Sequence, residues 1–128
     1  MAATILVCDD EDVLRALVRA TLAGCDYSFA EAVNGEESLQ LARELCPDLI
    51  VLDMMMPGRS GLEILAEIRQ DPPLADTPVL MLTARTQVSD RQAAAELGAD
   101  RFLAKPFSPR ELLSTVEVLL DESRRDAA

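Results

Sequence analysis

Apolar residues fall into two alternating rhythms along the chain. Thr4-Ile5-Leu6-Val7-Cys8 is a short unbroken run, the pattern of a strand buried on both faces. Leu14, Leu17, Val18, Thr21 and Leu22 then recur at helical spacing, with Gly24 as a stop. Tyr27 to Ala32 reads as a second, weaker strand. Asn34 can cap a helix that carries Glu37, Leu39, Leu41, Ala42 and Leu45, and Pro47 ends it. Asp48-Leu49-Ile50-Val51-Leu52 is the strongest buried-strand signal. Ser60-x-x-Glu63 is a capping box ahead of Leu62, Ile64, Leu65 and Ile68, and Pro72-Pro73 stops that helix. Val79 to Leu82 is a fourth strand. Ser89-x-x-Gln92 predicts the cap of a short Ala-rich helix closed by Gly98. Arg101 to Ala104 is a fifth strand. Ser108-Pro109-Arg110-Glu111 opens a last helix with Leu112, Leu113, Val116, Leu119 and Leu120 on its apolar face. Residues 1–122 are expected to form the domain, and residues 123–128 a polar, fraying tail.

Five strands alternating with five helices predict an α/β, doubly wound parallel sheet covered on both faces. The length of 128 residues suits one domain, and 49% hydrophobic residues can build its core without metal or disulfide staples. Cys8, Cys25 and Cys46 show no Cys-x-x-Cys spacing, which suits a reducing compartment. No apolar run reaches the roughly 18 residues of a membrane span, and Met1 to Leu6 lack a basic leader. A soluble, cytoplasmic protein without membrane partners is the expectation. A net charge of −11 disfavours nucleic-acid binding by this domain itself.

Charge also singles out one residue. The basic side chains are nearly all arginine, and Lys105 is the only lysine. In open parallel sheets the reactive site lies at the carboxyl ends of the strands. Strand one ends in Asp9-Asp10-Glu11, strand three in Asp53, strand four in Thr83 and strand five in Lys105. If strands one and three are neighbours, Asp9, Asp10 and Asp53 meet, with Thr83 and Lys105 approaching from the other side. Clustered carboxylates repel, so pKa values rise or a cation binds. An oxygen-only donor set that must leave room for a phosphate favours Mg²⁺. The backbone carbonyl of Met55 is placed to face the same metal, whereas the side chains of Met54 to Met56 read as packing. A carboxylate beside Mg²⁺ and a lysine can act as a nucleophile toward a phosphoryl group, and the Thr83 hydroxyl can bond a phosphate oxygen. Each residue alone has a plainer reading: a helix cap for Asp9 and Asp10, a turn for Asp53, β-propensity for Thr83, a loop lysine for Lys105. The conjunction at four strand ends carries the functional one.

Asp9-Asp10-Glu11, Asp53-Met54-Met55-Met56-Pro57-Gly58, Thr83-Ala84, Gly98-Ala99-Asp100 and Lys105-Pro106-Phe107, in this order, resemble receiver domains of two-component response regulators. The resemblance runs from about Thr4 to Leu120. It implies a flavodoxin-like strand order 2-1-3-4-5. It also implies that Asp53 takes a phosphoryl group from a histidine kinase or phosphotransfer protein. Asp10 and Asp53 would bind Mg²⁺ with the Met55 carbonyl, and Asp9 would act through water. Lys105 would pair with Asp53 and then with the phosphate. Thr83 would be the switch hydroxyl, with small Ala84 leaving room. The Lys105–Pro106 bond would be cis. Phe102 would be the switch aromatic, without the hydroxyl that tyrosine supplies at that position. Output to an effector would use the face of the last two helices and strand five. Leu14, Leu17 and Pro106 are the expected kinase-docking residues.

Two rival classes are distinguishable. A phosphohydrolase of the haloacid-dehalogenase kind needs a second aspartate two residues after the first, where this chain has Met55. A degenerate docking module would not need Asp9, Asp10, Asp53, Thr83 and Lys105 together. The sequence names neither the kinase nor the effector, and leaves open whether the domain stands alone.

Overall fold

The structure is a computed structural model that describes residues 3–84 and 88–127. The strands are β1 (Ala3–Cys8), β2 (Tyr27–Ala32), β3 (Leu49–Asp53), β4 (Val79–Ala84) and β5 (Arg101–Lys105). They form one parallel sheet in the order β2-β1-β3-β4-β5. The helices are α1 (Asp12–Leu22), α2 (Gly35–Leu45), α3 (Gly61–Gln70), α4 (Val88–Glu96) and α5 (Pro109–Ala127), with a single 3-10 turn at Pro72–Leu74.

The unbroken apolar runs become strands because each face of the sheet meets a helical layer. Ile5, Val7, Leu49, Val51, Leu80 and Leu82 pack with Val18 and Leu22 of α1 and Leu112, Val116 and Leu119 of α5. Leu6, Cys8, Ile50, Leu52, Val79 and Met81 pack on the opposite face with Leu39 of α2, Ile64, Leu65 and Ile68 of α3, and Ala94 of α4. Successive strand residues point to opposite faces, which sorts the two sets.

The capping signals act as written for three helices. Asn34 accepts from the Glu37 amide at 2.9 Å and Ser60 from the Glu63 amide at 3.2 Å. Ser108 accepts from the Glu111 amide at 3.1 Å, and Glu111 reaches back to the Ser108 amide at 3.4 Å. Ser89 is different. Helix α4 already begins at Val88, so Ser89 lies inside its first turn rather than at its cap. The residues just before it, 85–87, lie outside the described ones. Helix α5 also continues through Ala127, past the point where a polar tail was expected. Its added turns are rich in charged helix formers, and Glu122 is tied to Arg101 at 2.8 Å. Ala128 lies outside the described residues. Helix α2 ends in a left-handed Cys46 (φ 45°) before Pro47, and α1 ends at Leu22, two residues before Gly24. Among the described residues no helix is long and apolar enough to cross a membrane.

Candidate functional site

The strand register gathers the chemistry at one edge. Cys8 is paired with Leu52, so Asp9 and Asp53 leave adjacent strands side by side. Asp53 is paired with Leu82, which puts Thr83 one step beyond it on the next strand. Ala84 is paired with Lys105 on β5. Lys105 therefore starts two strands away from Asp53 and needs its full length to reach it. Its Nζ lies 3.1 Å from Asp53 Oδ1, 3.2 Å from Asp9 Oδ2 and 3.8 Å from Glu11. Asp9 and Asp53 are buried, while Asp10 is exposed at the rim. Carboxylate oxygens of Asp9, Asp10 and Asp53 all lie within 4.8 Å of one another, a spacing that suits a shared metal ion.

One lysine does not balance three carboxylates, and the titration behaviour reflects it. Burial, then the neighbouring Asp9 charge, push the Asp53 carboxyl up to about 6, against the opposing pull of Lys105 and a hydrogen bond from the Met55 backbone amide. Burial likewise raises Asp9, opposed by a 2.9 Å bond from the Glu11 amide to Asp9 Oδ1 and by Lys105. For Lys105, burial disfavours the charged form, but Asp53 and Asp9 together outweigh it and its pKa rises. An added hard cation would relieve the same repulsion, and the donors in reach are all oxygen. The acidic cluster is thus able to hold a divalent ion.

Thr83 supplies a second sign of incompleteness. Its hydroxyl is buried, and it has no hydrogen-bond partner among the described residues. A buried polar atom left unpaired costs roughly 1–3 kcal/mol, so a hydroxyl kept there without a partner points to one that arrives later.

The remaining expected residues divide. Ala84 is half-buried at the end of β4. The Lys105–Pro106 bond is cis. The contact of the Met55 backbone with Asp53 is through its amide, and its side chain is 63% exposed. The packing reading of the three methionines therefore fails at Met55 and holds at Met54, which is 2% exposed, with Met56 packed against the core. Phe102 is half-buried against the second core cluster, with the Arg91 guanidinium 5.6 Å from its ring centre. Leu14 turns largely inward onto the first core cluster, and Leu17 is partly exposed. Val13, outside the apolar stripe, is far more exposed than either. Pro106 is exposed beside Lys105.

Two site residues escaped sequence reasoning. A Cβ on Gly61 would stand 2.5 Å from the Asp53 carbonyl and 2.9 Å from the Met54 Cα. The Gly61 amide also bonds the Met54 carbonyl at 2.9 Å. Only glycine lets α3 begin this close to the Asp53 backbone. Its sequence signal was its place just inside the Ser60 cap. The second is Arg15, whose buried guanidinium bonds the Asp9 carbonyl at 2.8 Å.

Comparison with known proteins settles the family. Residues 5–117 match the family model of the response regulator receiver domain. The chain belongs to that family. This receiver domain is 43% identical over 116 residues to the transcriptional regulatory protein ResD of Bacillus subtilis, covering 91% of the chain and 47% of ResD. It is 38% identical over 117 residues to the phosphate regulon regulatory protein PhoB of Pseudomonas aeruginosa, covering 91% of the chain and 51% of PhoB. The receiver domain spans about half the length of these curated relatives. Among solved structures, a putative response regulator from Chloroflexus aurantiacus superposes with a TM-score of 0.90 at 36% identity, over 94% of this chain and 99% of that one. The chemotaxis response regulator CheY4 of Vibrio cholerae gives 0.87 at 34%, over 93% and 99%. Receiver domains are the signalling switches of two-component systems, and they work by phosphotransfer. Response regulators interact with histidine kinases and effector domains.

Proposed function

We propose that Asp53 accepts a phosphoryl group from the phosphohistidine of a sensor kinase or phosphotransfer protein, in a Mg²⁺-dependent reaction, and that the new charge alters partner binding at the α4/β5/α5 face. One observation carries the assignment. Of the three clustered carboxylates, Asp53 alone combines burial, a direct Lys105 contact and a place in the middle of the sheet edge, with acidic groups on one side and the unpaired Thr83 hydroxyl on the other.

An Asp53 oxygen would form the new O–P bond while the N–P bond to the donor imidazole breaks, its electron pair returning to the ring nitrogen. With a pKa of about 6, the nucleophile is mostly ionised near neutral pH, yet less stabilised than a solvated carboxylate. Asp10, Asp53 and the Met55 carbonyl would hold Mg²⁺, with Asp9 acting through water; the bound ion would neutralise charge on the transferring group. Lys105, already against Asp53, is placed to accompany the phosphate oxygens. Thr83 would gain the acceptor its hydroxyl lacks, with Ala84 leaving room beside it. Phe102, one strand over and half-buried, is the group placed to answer a shift of Thr83. Leu14, Leu17 and Pro106 remain the proposed kinase-docking residues, and Val13 joins them on exposure. The domain carries its switching chemistry in the cytoplasm, without direct nucleic-acid contacts of its own.

Incubation with a phosphohistidine donor and Mg²⁺ should add one phosphoryl mass to wild type and none to Asp53→Asn. Equal labelling of the two proteins would defeat the assignment. Leu14→Asp should slow transfer from the phosphohistidine more than transfer from acetyl phosphate, and equal slowing would remove the docking assignment.

A further inference from the structure

Arg15 sits on the first turns of α1, yet its side chain is only 11% exposed. Each part of its fork has a partner. Nε donates to Glu31 Oε1 on β2 at 3.0 Å, Nη2 pairs with Asp12, and Nη1 donates to the Asp9 carbonyl at 2.8 Å in a buried contact. Glu31 is steadied in turn by Arg19, which holds its second oxygen at 2.9 Å. The guanidinium is therefore clamped from two elements, with one donor aimed at the peptide that joins Asp9 to Asp10. That peptide decides how the two side chains leave the backbone, Asp9 into the buried cluster and Asp10 to its exposed rim.

We propose that Arg15 is a positioning residue for the divalent-cation site: by holding the Asp9 carbonyl it fixes the Asp9–Asp10 peptide, and with it the placement of both carboxylates beside Asp53. The inference rests on the Mg²⁺ site of the proposed function. A planar fork with several fixed donors suits this task, because it cannot swivel about a single bond as an ammonium can. Residues that orient ligands without touching the metal commonly matter 10- to 100-fold for affinity.

Charge and geometry predict opposite signs here. A cation so near three carboxylates repels a second cation, so an Arg15 that acted only through its charge would weaken Mg²⁺ binding, and its removal would tighten it. An Arg15 that acts through the Asp9 carbonyl strengthens binding, and its removal loosens it. A purely structural Arg15 would lower the melting temperature and leave the affinity level or tighter.

The test is calorimetric titration of Mg²⁺ into wild type, Arg15→Met, Arg15→Lys and Arg43→Met, each well below its own melting temperature. Arg43 pairs with Asp71 at 2.9 Å away from the site, so its variant loses the same charge without touching the acidic peptide. Arg15→Met should bind roughly 10-fold more weakly. Arg15→Lys, which keeps the charge but not the fork, should fall in between, and Arg43→Met should match wild type. Without metal, the Asp10 amide resonance should move in Arg15→Met and stay in Arg43→Met. An Arg15→Met affinity equal to or tighter than wild type overturns the inference while leaving the proposed function intact. If Arg15→Met does not fold, Arg15→Lys decides, and wild-type affinity there overturns it. A wild-type protein that takes up no Mg²⁺ overturns the proposed metal site and this inference with it.

Discussion

The two ends of the sheet use the same residue types to opposite effect. At the amino end of β4 and β5, Arg69 of α3 makes five hydrogen bonds: two to the Gly98 carbonyl, one each to the Ala75 and Thr77 carbonyls, and one to Asp100 at 2.9 Å. Asp100 also accepts from the Val79 amide at 2.8 Å. A Cβ on Gly98 (φ +99°) would come within 3.1 Å of that guanidinium. Here the cation is saturated with acceptors, and its ties join α3, the 3-10 turn and the loop before β5. At the carboxyl end the balance is reversed. Lys105 pairs with Asp9 and Asp53 while Asp10 adds a third carboxylate to the cluster, Asp53 is held up to about 6, and the Thr83 hydroxyl has no partner among the described residues. A fully satisfied polar network makes structure rigid. An incompletely satisfied one in a cleft marks a candidate site for a ligand that completes it.

The largest expected effect breaks the saturated end. Arg69→Ala should cost roughly 2–3 kcal/mol, since it strips partners from three carbonyls and a carboxylate together. Denaturant unfolding checks this, and Mg²⁺ affinity should be unchanged in the same variant. A Mg²⁺ defect in Arg69→Ala would mean that the two ends are not separable.

Relieving the strained end should have the opposite sign. The folded Asp53 carboxyl holds its proton to about pH 6, whereas an aspartate in the unfolded chain loses it near the ordinary value of 3.8. Between those values the folded state binds more protons than the unfolded one, so this group's contribution falls as pH rises, and the full penalty applies above pH 6. Asp53→Asn removes the ionisation and should stabilise the apo domain by roughly 2 kcal/mol at pH 7.5, with little difference from wild type near pH 4. Thermal melts of both proteins across that range measure it. A gap that does not grow with pH would show that Asp53 is not under charge strain.

The smallest effect concerns the output face. Arg91 stands over the Phe102 ring, a contact worth about 0.5–1 kcal/mol. A beryllofluoride phosphate mimic should move the Phe102 ring resonances, Thr83→Ala should abolish the movement, and Arg91→Gln should enlarge it. Ring signals indifferent to the mimic would remove Phe102 from the switch.

Local signals in the sequence carried far. Asn34, Ser60 and Ser108 cap their helices because an N-cap depends on residues three apart, and the strands were legible as unbroken apolar runs. Lys105 was placed at the site because the carboxyl-end rule turns topology into proximity. What escaped was fixed by contacts between distant segments. Arg15 falls between the apolar positions of α1 and reads as a solvated arginine until β2 supplies Glu31. Gly61 reads as an ordinary first residue of a helix until the Asp53 backbone lies against it. Arg69 and Arg91 look like surface charges, and their partners, Gly98 and Phe102, come from other elements. The start of α4 escaped for the opposite reason: Ser89 offered a cap in a helix with little apolar face to anchor its position.

One measurement bears most directly on the claim that, of three clustered carboxylates, Asp53 is the reactive one. The domain is treated with acetyl phosphate and Mg²⁺, the acyl phosphate is reduced with borohydride, and the converted residue is located by peptide mass spectrometry. Homoserine at position 53, with Asp9 and Asp10 unchanged and no conversion when Mg²⁺ is withheld, is the predicted result. Homoserine at position 9 or 10, or conversion at 53 that is indifferent to Mg²⁺, would contradict it.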